Sequence, residues 1–554
     1  MKTKTPFLAT VLALALLLAI GASAQTAPKL KLPSFFSDGM VLQRDKPLKI
    51  WGWSAPANDV TLTFAGQTKT TTARDGKWEI VLDPLAAQAK GQSLTVISGE
   101  ETLTLKDILL GDVWICGGQS NMEWRLASTR DADLEIPAAR FPKVRFYRIE
   151  PEGLPDPQHD IPVSQSAGIW QACSPETAGN CSGVAYYFGK RLHRNLNVPI
   201  GLINAAWGGT MAQHWVTRET LDTLPTMQKT LAEYETKRNK WMNQGGEDGA
   251  TKRYESDLKT WQERVAKLAK GTKPPSKPNP RNYANPAQGR IPAGPLNAMI
   301  MPLAGLSVQG VLFYQGENNS FGNTWIPFQE TFPAVISDWR TLFKDEDLPF
   351  GIIQIAGWST RRSMTYDMNH HTNVVREIQF KTWQSTPHTG LMVSFDANSD
   401  ANIHPRRKAP VGERSARWAL SEVYGATSNN SALDWHGPVY HSMETAGDKI
   451  KVIFKKDGGE GLRLDKADVR GFYIAGADQV FHYAEARVTD SRGDTPAIEV
   501  WSKEVPKPVA VRYAFSNLPL GSLMNGRELP AFPFRTDDWP IQPHRGTEVY
   551  QVGK

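Results

Sequence analysis

Hydrophobic and polar positions alternate in short steps along the N-terminal part of the chain. Between about residues 30 and 108 the runs LKIWGWS, VTLTFAG, TKTTTA, KWEIVLD, SLTVISG and ETLTL are alternating or β-branched. Turn signals such as Asp75-Gly76 and Ser98-Gly99 separate them. Short strands at such close, regular spacing predict a β-sandwich-type domain over residues 25–108. From about residue 109 the alternation stops. VWIC (113–116), PIGLINAA (199–206), VQGVLFY (308–314), FGIIQIA (350–356) and LMVSF (391–395) are continuous apolar runs. A parallel strand covered by helices on both faces has no polar side to show and reads in this way. GVAYYFGKRLHRNL, FQETFPAVISDWRTLF and NVVREIQFKTW carry helical spacing between them.

Strand and helix in alternation predict an α/β domain with a central parallel sheet over 109–440. Residues 216–295 interrupt it. The stretch 216–270 is charged and helical in character; 271–295 is rich in Pro, Asn and Lys. Together they predict a helical hairpin and a long loop, placed over one edge of whatever site the domain carries. After about 440, KIKVIFKK, GFYIAG, EARVTD, AIEVW and AVRYAF restore the β texture and predict a second β domain, 441–554.

The extreme N-terminus belongs to neither pattern. Lys2 and Lys4 precede an apolar stretch from Phe7 to Ile20, and Ala22-Ser23-Ala24 offers a small-residue cleavage site before Gln25. This is the layout of an export signal, 1–24, and predicts a periplasmic or extracellular protein with no membrane span once the signal is gone. The formal charge of +6 falls to +4 without Lys2 and Lys4, a field too weak over 554 residues to predict a nucleic-acid partner. Cys116, Cys173 and Cys181 lack the paired spacing of a zinc site. Cys173 and Cys181 could close a short disulfide loop, which spacing alone leaves open. Eighteen Trp residues serve cores in most proteins, though exposed rings can act as sugar platforms.

Ligands of open parallel sheets bind beyond the carboxyl ends of the strands, so the residues after each apolar run matter most. VWIC leads into Gly117-Gly118-Gln119-Ser120-Asn121. PIGLINAA leads into Trp207-Gly208-Gly209-Thr210, and VQGVLFY into Gln315-Gly316-Glu317-Asn318-Asn319. LMVSF leads into a loop holding Asp396, Asn398, Asp400, Asn402 and His404. Each of these alone is ordinary turn chemistry. Together they supply a hydroxyl, an imidazole and a set of hydrogen-bond donors. A hydroxyl nucleophile needs a base and oxyanion donors, and Ser120, His404 and the amides of Ser120 and Gly209 with the Gln315 side chain fill those roles. Asn121 and Met122 after Ser120 exclude the G-x-S-x-G nucleophile elbow.

GGQSNMEW, NAAWGGT, YQGENN and IHPRRK resemble conserved blocks of the SGNH-type hydrolases, and more narrowly of the sialate O-acetylesterase group of carbohydrate esterases. The likeness extends in matching order to DWR (338–340), REIQ (376–379), YAEARV (483–488), VRYAFSN (511–517) and LPAFPFRTDDWP (529–540). The resemblance implies an SGNH-like three-layer sandwich flanked by the two β domains. It implies a serine esterase that removes acetyl groups from sugar hydroxyls, takes an acetylated carbohydrate as its partner and uses no metal or cofactor. By position, Ser120 is then the nucleophile and His404 the general base. Gly209 and Gln315 fall among the oxyanion-hole members, and Glu317 and Asn318 beside them order the site or meet substrate.

One departure bears on the mechanism. The family's pattern places an Asp two or three residues before the His, where this chain has Ala401 and Asn402. Asp400 could orient the ring through a different loop bend, or a backbone carbonyl could do so and leave a Ser-His dyad. Asp396, Asn398 and Asp400 also have the spacing of a calcium loop, but Ala401 and Arg407 stand where that motif needs Gly and Glu. His214 and the pair His370-His371 are further candidates to line the site. Arg125, Arg376 and Arg406 are candidate partners for a sialate carboxylate. The acetylated sugar itself stays open between sialate esters, acetylxylan and pectic fragments. A non-catalytic carbohydrate-binding protein would leave the Ser-His set unexplained, and so would a glycoside hydrolase built on two carboxylates. Oligomeric state is not legible.

Overall fold

The computed structural model describes residues 29–162, 169–358, 371–397, 402–428, 431–465, 470–541 and 549–550. The candidate export signal lies outside them.

The central strand, β1 (Glu101–Gly118), changes character along its length. Its first half pairs antiparallel with Gln88–Ser98 and alternates between covered and open positions. From Ile108 onward every residue is buried. The sequence shows why: ETLTLKD alternates, whereas ILLGDVWICGG does not. Asp112, the one charge in the second half, is held by Arg44 at 2.8 Å.

Six more strands extend this second half: β2 (Phe141–Arg148), β3 (Gln171–Cys173), β4 (Ile200–Ala206), β5 (Gly310–Tyr314), β6 (Phe350–Ile353) and β7 (Thr389–Met392). Their order is β7-β6-β5-β1-β4-β2-β3. Every neighbouring pair is parallel except β2 with β3. On one side the chain leaves β1 for β2 and the edge strand β3 and returns to lay β4 between β1 and β2; it then crosses β1 and winds outward through β5, β6 and β7. The C-terminal end of β1 is the point where the winding reverses, and crevices open at such points. Gly118 stands opposite both Ala206 and Tyr314, so β1, β4 and β5 release their chains at the same level.

Alternate residues of a strand face opposite sides. On one side Trp114 meets Phe188 of α2 (Gly183–Leu196) at 5.0 Å and Trp418 of α7 (Ala409–Trp418) at 6.1 Å. On the other, Phe313 of β5 meets Trp339 of α5 (Trp325–Phe343) at 5.5 Å, and α6 (His371–Ser385) packs on α5. Large aromatics thus go to the core on both faces. A one-turn helix, α1 (Ser120–Glu123), follows β1 directly. Between β4 and β5 lie α3 (Gln228–Asn243) and α4 (Gly246–Ala266), which touch each other and bury only Leu231 and Ala250.

Antiparallel strands Asp59–Phe64, Gln67–Thr72 and Gln88–Ser98 join β1 on the N-terminal side, and Leu48–Trp53 pairs with Lys77–Leu82. After α7 come two four-stranded antiparallel sheets, one containing Lys449–Phe454 and Ala497–Trp501, the other Phe472–Ala475 and Ala510–Tyr513. Cys173 and Cys181, whose pairing the spacing left open, are free and buried. The Cys181 thiol turns instead to Ser182 O, at 3.3 Å. Cys116 is fully buried in β1, and burial pushes its thiol up to about 12, so it packs as a small apolar residue. Among the described residues no helix is long and apolar enough to cross a membrane.

Candidate active site

The site begins with a backbone constraint. Gly118 has φ of +122°, and a Cβ there would lie 2.2 Å from Tyr314 O, so only glycine allows β1 to turn here. Gln119 N–H donates to Tyr314 O and Trp207 N–H to Gly118 O, both at 3.0 Å. Gln119 C=O then accepts from the amides of Met122 and Glu123, which closes α1 and makes Ser120 its first residue. Ser120 lies 2.8 Å through its Oγ from His404 Nε2, although 284 residues separate them. The imidazole stacks on Trp124 with ring centroids 5.0 Å apart, and His404 N–H donates to Asn402 Oδ1 at 2.9 Å.

Beneath this pair a buried relay ties the two loops together. The Asn121 amide nitrogen donates to Glu317 Oε1 at 2.5 Å and to Ile403 O at 3.0 Å. Its carbonyl oxygen accepts from Lys408 Nζ at 2.5 Å. A carboxylate on one side and an ammonium on the other set the carboxamide's orientation, and the bond to Ile403 holds the backbone that carries His404. Glu317 and Lys408 are each 1% exposed. Burial pushes the Glu317 carboxyl up to about 7 and the Lys408 ammonium down to about 7, and the charge of each partly offsets the effect on the other. Partial burial, with the nearby Lys408 charge, lowers the His404 pKa below its ordinary value. The ring is therefore neutral at pH 7 and able to accept a proton.

The loop after β4 lies against the serine: a Cβ on Gly208 would be 3.2 Å from Ser120 Cβ. Three side chains pin it. Gly208 N–H donates to Glu123 Oε2 at 2.8 Å, Arg290 Nε donates to Gly208 O at 2.7 Å, and Asn318 Nδ2 donates to Gly209 O at 2.8 Å. The N–H groups of Ser120 and Gly209 have no partner among the described residues.

The sequence candidates separate accordingly. Ser120, His404, Gly209, Glu317 and Asn318 come together at this level. Gln315 does too, but its side chain is not free to donate to an oxyanion. Its amide nitrogen donates to Gln119 Oε1 at 2.7 Å and Thr210 O at 2.9 Å, and the residue is fully buried. It binds the strand exits to one another. Asp400, Asn398 and His370 lie outside the described residues, as does the side chain of His371. Asp396 is committed elsewhere, both of its oxygens accepting from Arg414 at 2.6 Å. His214 braces the loop after β4 from within. It is buried, accepts from Met211 N–H through Nδ1 at 3.0 Å, and burial with the Arg290 charge lowers it to about 3. Arg376 is fully buried against Asn373 and Ser516 O and cannot meet a substrate, whereas Arg125 and Arg406 are exposed.

Sequence reading missed Asn121, Trp124, Lys408 and Arg290. Asn121 adjoins Ser120 and Lys408 closes the IHPRRK block, so position within a motif was the available signal for both. A cavity of about 670 Å³ lies elsewhere, against Trp51, Trp53 and Trp78, and none of the four strand-exit loops lines it.

The model of the sialic acid-specific acetylesterase family of carbohydrate esterases matches residues 110–275. A crystal structure of a carbohydrate acetylesterase from Xanthomonas citri superposes with a TM-score of 0.74 at 32% identity, covering 92% of this chain and all of that one. The chain belongs to the sialate O-acetylesterase group of carbohydrate esterases. Among curated members of the group, the mouse sialate O-acetylesterase is 27% identical over 88% of this chain and 90% of its own length. The human one is 26% identical over 92% of each. This esterase is thus a carboxylic ester hydrolase, and its likeness to these relatives spans nearly the whole chain.

Proposed function

We propose that the esterase removes O-acetyl groups from sugars through an acetyl-enzyme formed on Ser120, with His404 as general base. The observation that carries this reading is the 2.8 Å contact between His404 Nε2 and Ser120 Oγ, beside N–H groups of Ser120 and Gly209 that have no partner among the described residues. In the first step His404 takes the hydroxyl proton while Ser120 Oγ attacks the acetyl carbonyl. The two N–H groups receive the developing oxyanion. The tetrahedral intermediate collapses, the sugar hydroxyl leaves with the proton from His404, and the acetyl group stays on Ser120. Water, deprotonated by the same imidazole, then releases acetate. Glu317 and Asn318 act in this scheme by holding Asn121 and Gly209. Asp400 as orienting carboxylate remains part of the proposal, since a third group would fix the tautomer.

The names of the relatives support an acetylated sugar as substrate, with sialate esters first and acetylated plant polysaccharides second. The same reading takes 109–440 as a three-layered esterase domain between β-sandwich-type domains at 25–108 and 441–554. It takes the protein to be exported by residues 1–24. Ser120→Ala tests the chemistry: turnover of an aryl acetate, and acetate release from O-acetylated sialic acid, acetylxylan oligomers and acetylated pectin, should fall at least ~10³-fold with the thermal transition unchanged. Wild-type turnover in this variant would overturn the assignment.

A further inference from the structure

The insertion between β4 and β5 ends by setting one cation beside the nucleophile. Gly289 N–H bonds to Gly153 O at 2.8 Å, and Ala293 N–H to Gln213 O at 3.1 Å. Between these anchors Ile291 N–H bonds back to Gly289 O at 2.9 Å, which makes Arg290 the centre of a three-residue turn. From that turn the guanidinium reaches across Trp207-Gly208-Gly209. Nε donates to Gly208 O at 2.7 Å, and the central carbon lies 4.6 Å from the Trp207 ring centroid. The same carbon would be 3.5 Å from a Cβ on Gly209, and Gly208 packs directly on Ser120.

Arg290 therefore has a fixed stem, a fixed ring plane and one committed N–H, with its terminal nitrogens left at the mouth of the site. The side chain is exposed and pairs with no carboxylate among the described residues. Glu123, which pins this loop, accepts from Gly208 N–H and has Arg148 beside it at 3.5 Å. A planar guanidinium with two free N–H groups matches a carboxylate, and holding it in place beforehand removes much of the ordering cost of binding.

We propose that Arg290 binds the carboxylate of an acidic sugar, so that the site favours acetylated sialates or uronates over neutral acetylated sugars. This rests on acetyl transfer at Ser120. Both acids carry a carboxylate on the same sugar residue as the ester, and the test keeps them apart.

The experiment compares kcat/KM for an O-acetylated sialic acid, an acetylated galacturonide, the methyl ester of each, an acetylated xylo-oligomer and an aryl acetate. In the wild-type enzyme, methyl esterification of the favoured acid should cost on the order of ten- to a hundredfold. In Arg290→Met, which keeps an apolar stem over Trp207, that penalty should vanish. The aryl acetate should fall only by the loss of support to Gly208. The acid that shows the penalty identifies the source. Equal wild-type rates on acid and ester would overturn the proposal. So would a loss in Arg290→Met of equal size on acidic and neutral substrates, because bracing of the loop would then explain everything. Absence of aryl acetate turnover in the wild type would overturn the esterase mechanism itself.

Discussion

Two buried ionic clusters in this molecule follow opposite designs. In the C-terminal part Arg512 and Asp537 meet directly through two parallel bonds of 2.8 and 2.7 Å, their side chains 5% and 2% exposed. Arg535 adds contacts to Asp537 at 3.4 Å and to Glu377 at 3.2 Å. Under the active site, Glu317 and Lys408 do not touch; the neutral carboxamide of Asn121 stands between them. One carboxylate oxygen of Glu317 has no hydrogen-bond partner among the described residues. Direct fork-on-carboxylate pairing suits a cluster whose task is to hold sheets together. A relay through Asn121 gives up that pairing, and what it gains is a tie from the residue after Ser120 to the backbone before His404. The first cluster belongs to stability and the second to alignment.

Breaking one partner of each cluster separates the two tasks. Asp537→Ala leaves Arg512 and Arg535 without their shared carboxylate, and losing one partner of a buried pair costs about 3–5 kcal/mol. Urea unfolding should show this loss, while aryl acetate kcat/KM at 25 °C stays at the wild-type level. A comparable drop in kcat/KM of the folded variant would erase the distinction. Asn121→Ala should do the reverse. It frees the Ile403 carbonyl and lets the His404 loop shift, and a misplacement of about 1 Å costs roughly 10²-fold in rate. Unfolding should move less than in Asp537→Ala. An Asn121→Ala enzyme that loses stability but turns over normally would make the relay merely another structural cluster.

Sequence reading reached the sheet more fully than the relay, for a physical reason. Continuous apolar runs mark covered parallel strands, and their ends fall at Gly118, Ala206 and Tyr314 because β1, β4 and β5 stop in register. Ser120 and His404 were legible because each follows such a run or sits in a loop after one. The direction of a side chain was not. Gln315 looks like a free donor until Thr210 O and Gln119 Oε1 stand beside it. Lys408 carries no mark of its own within IHPRRK, yet it lies 5.5 Å over the Tyr314 ring and 5.9 Å over that of Trp124, both distant in sequence. Arg376 and Arg290 are the same residue type, and the motifs pointed to Arg376 alone. Only packing buries one and presents the other.

The smallest expected effect is the most specific to the relay. In the proposed mechanism His404 must be neutral to accept the Ser120 proton, so kcat/KM falls as pH drops through the imidazole pKa. Burial and the Lys408 charge both lower that pKa, so the acid limb of the wild-type profile should lie below the ordinary histidine value of 6.5. Lys408→Met removes the charge and leaves the ring as buried as before. Its acid limb should therefore move to higher pH, along with a modest loss at every pH from the missing bond to Asn121. Burial pushes the Lys408 ammonium down to about 7, so its charge is mostly present at the more acid pH where the limb falls. A structural defect alone would scale the profile without sliding it. A limb that stays in place, or slides toward acid, would mean that Lys408 serves packing and leaves the base untuned.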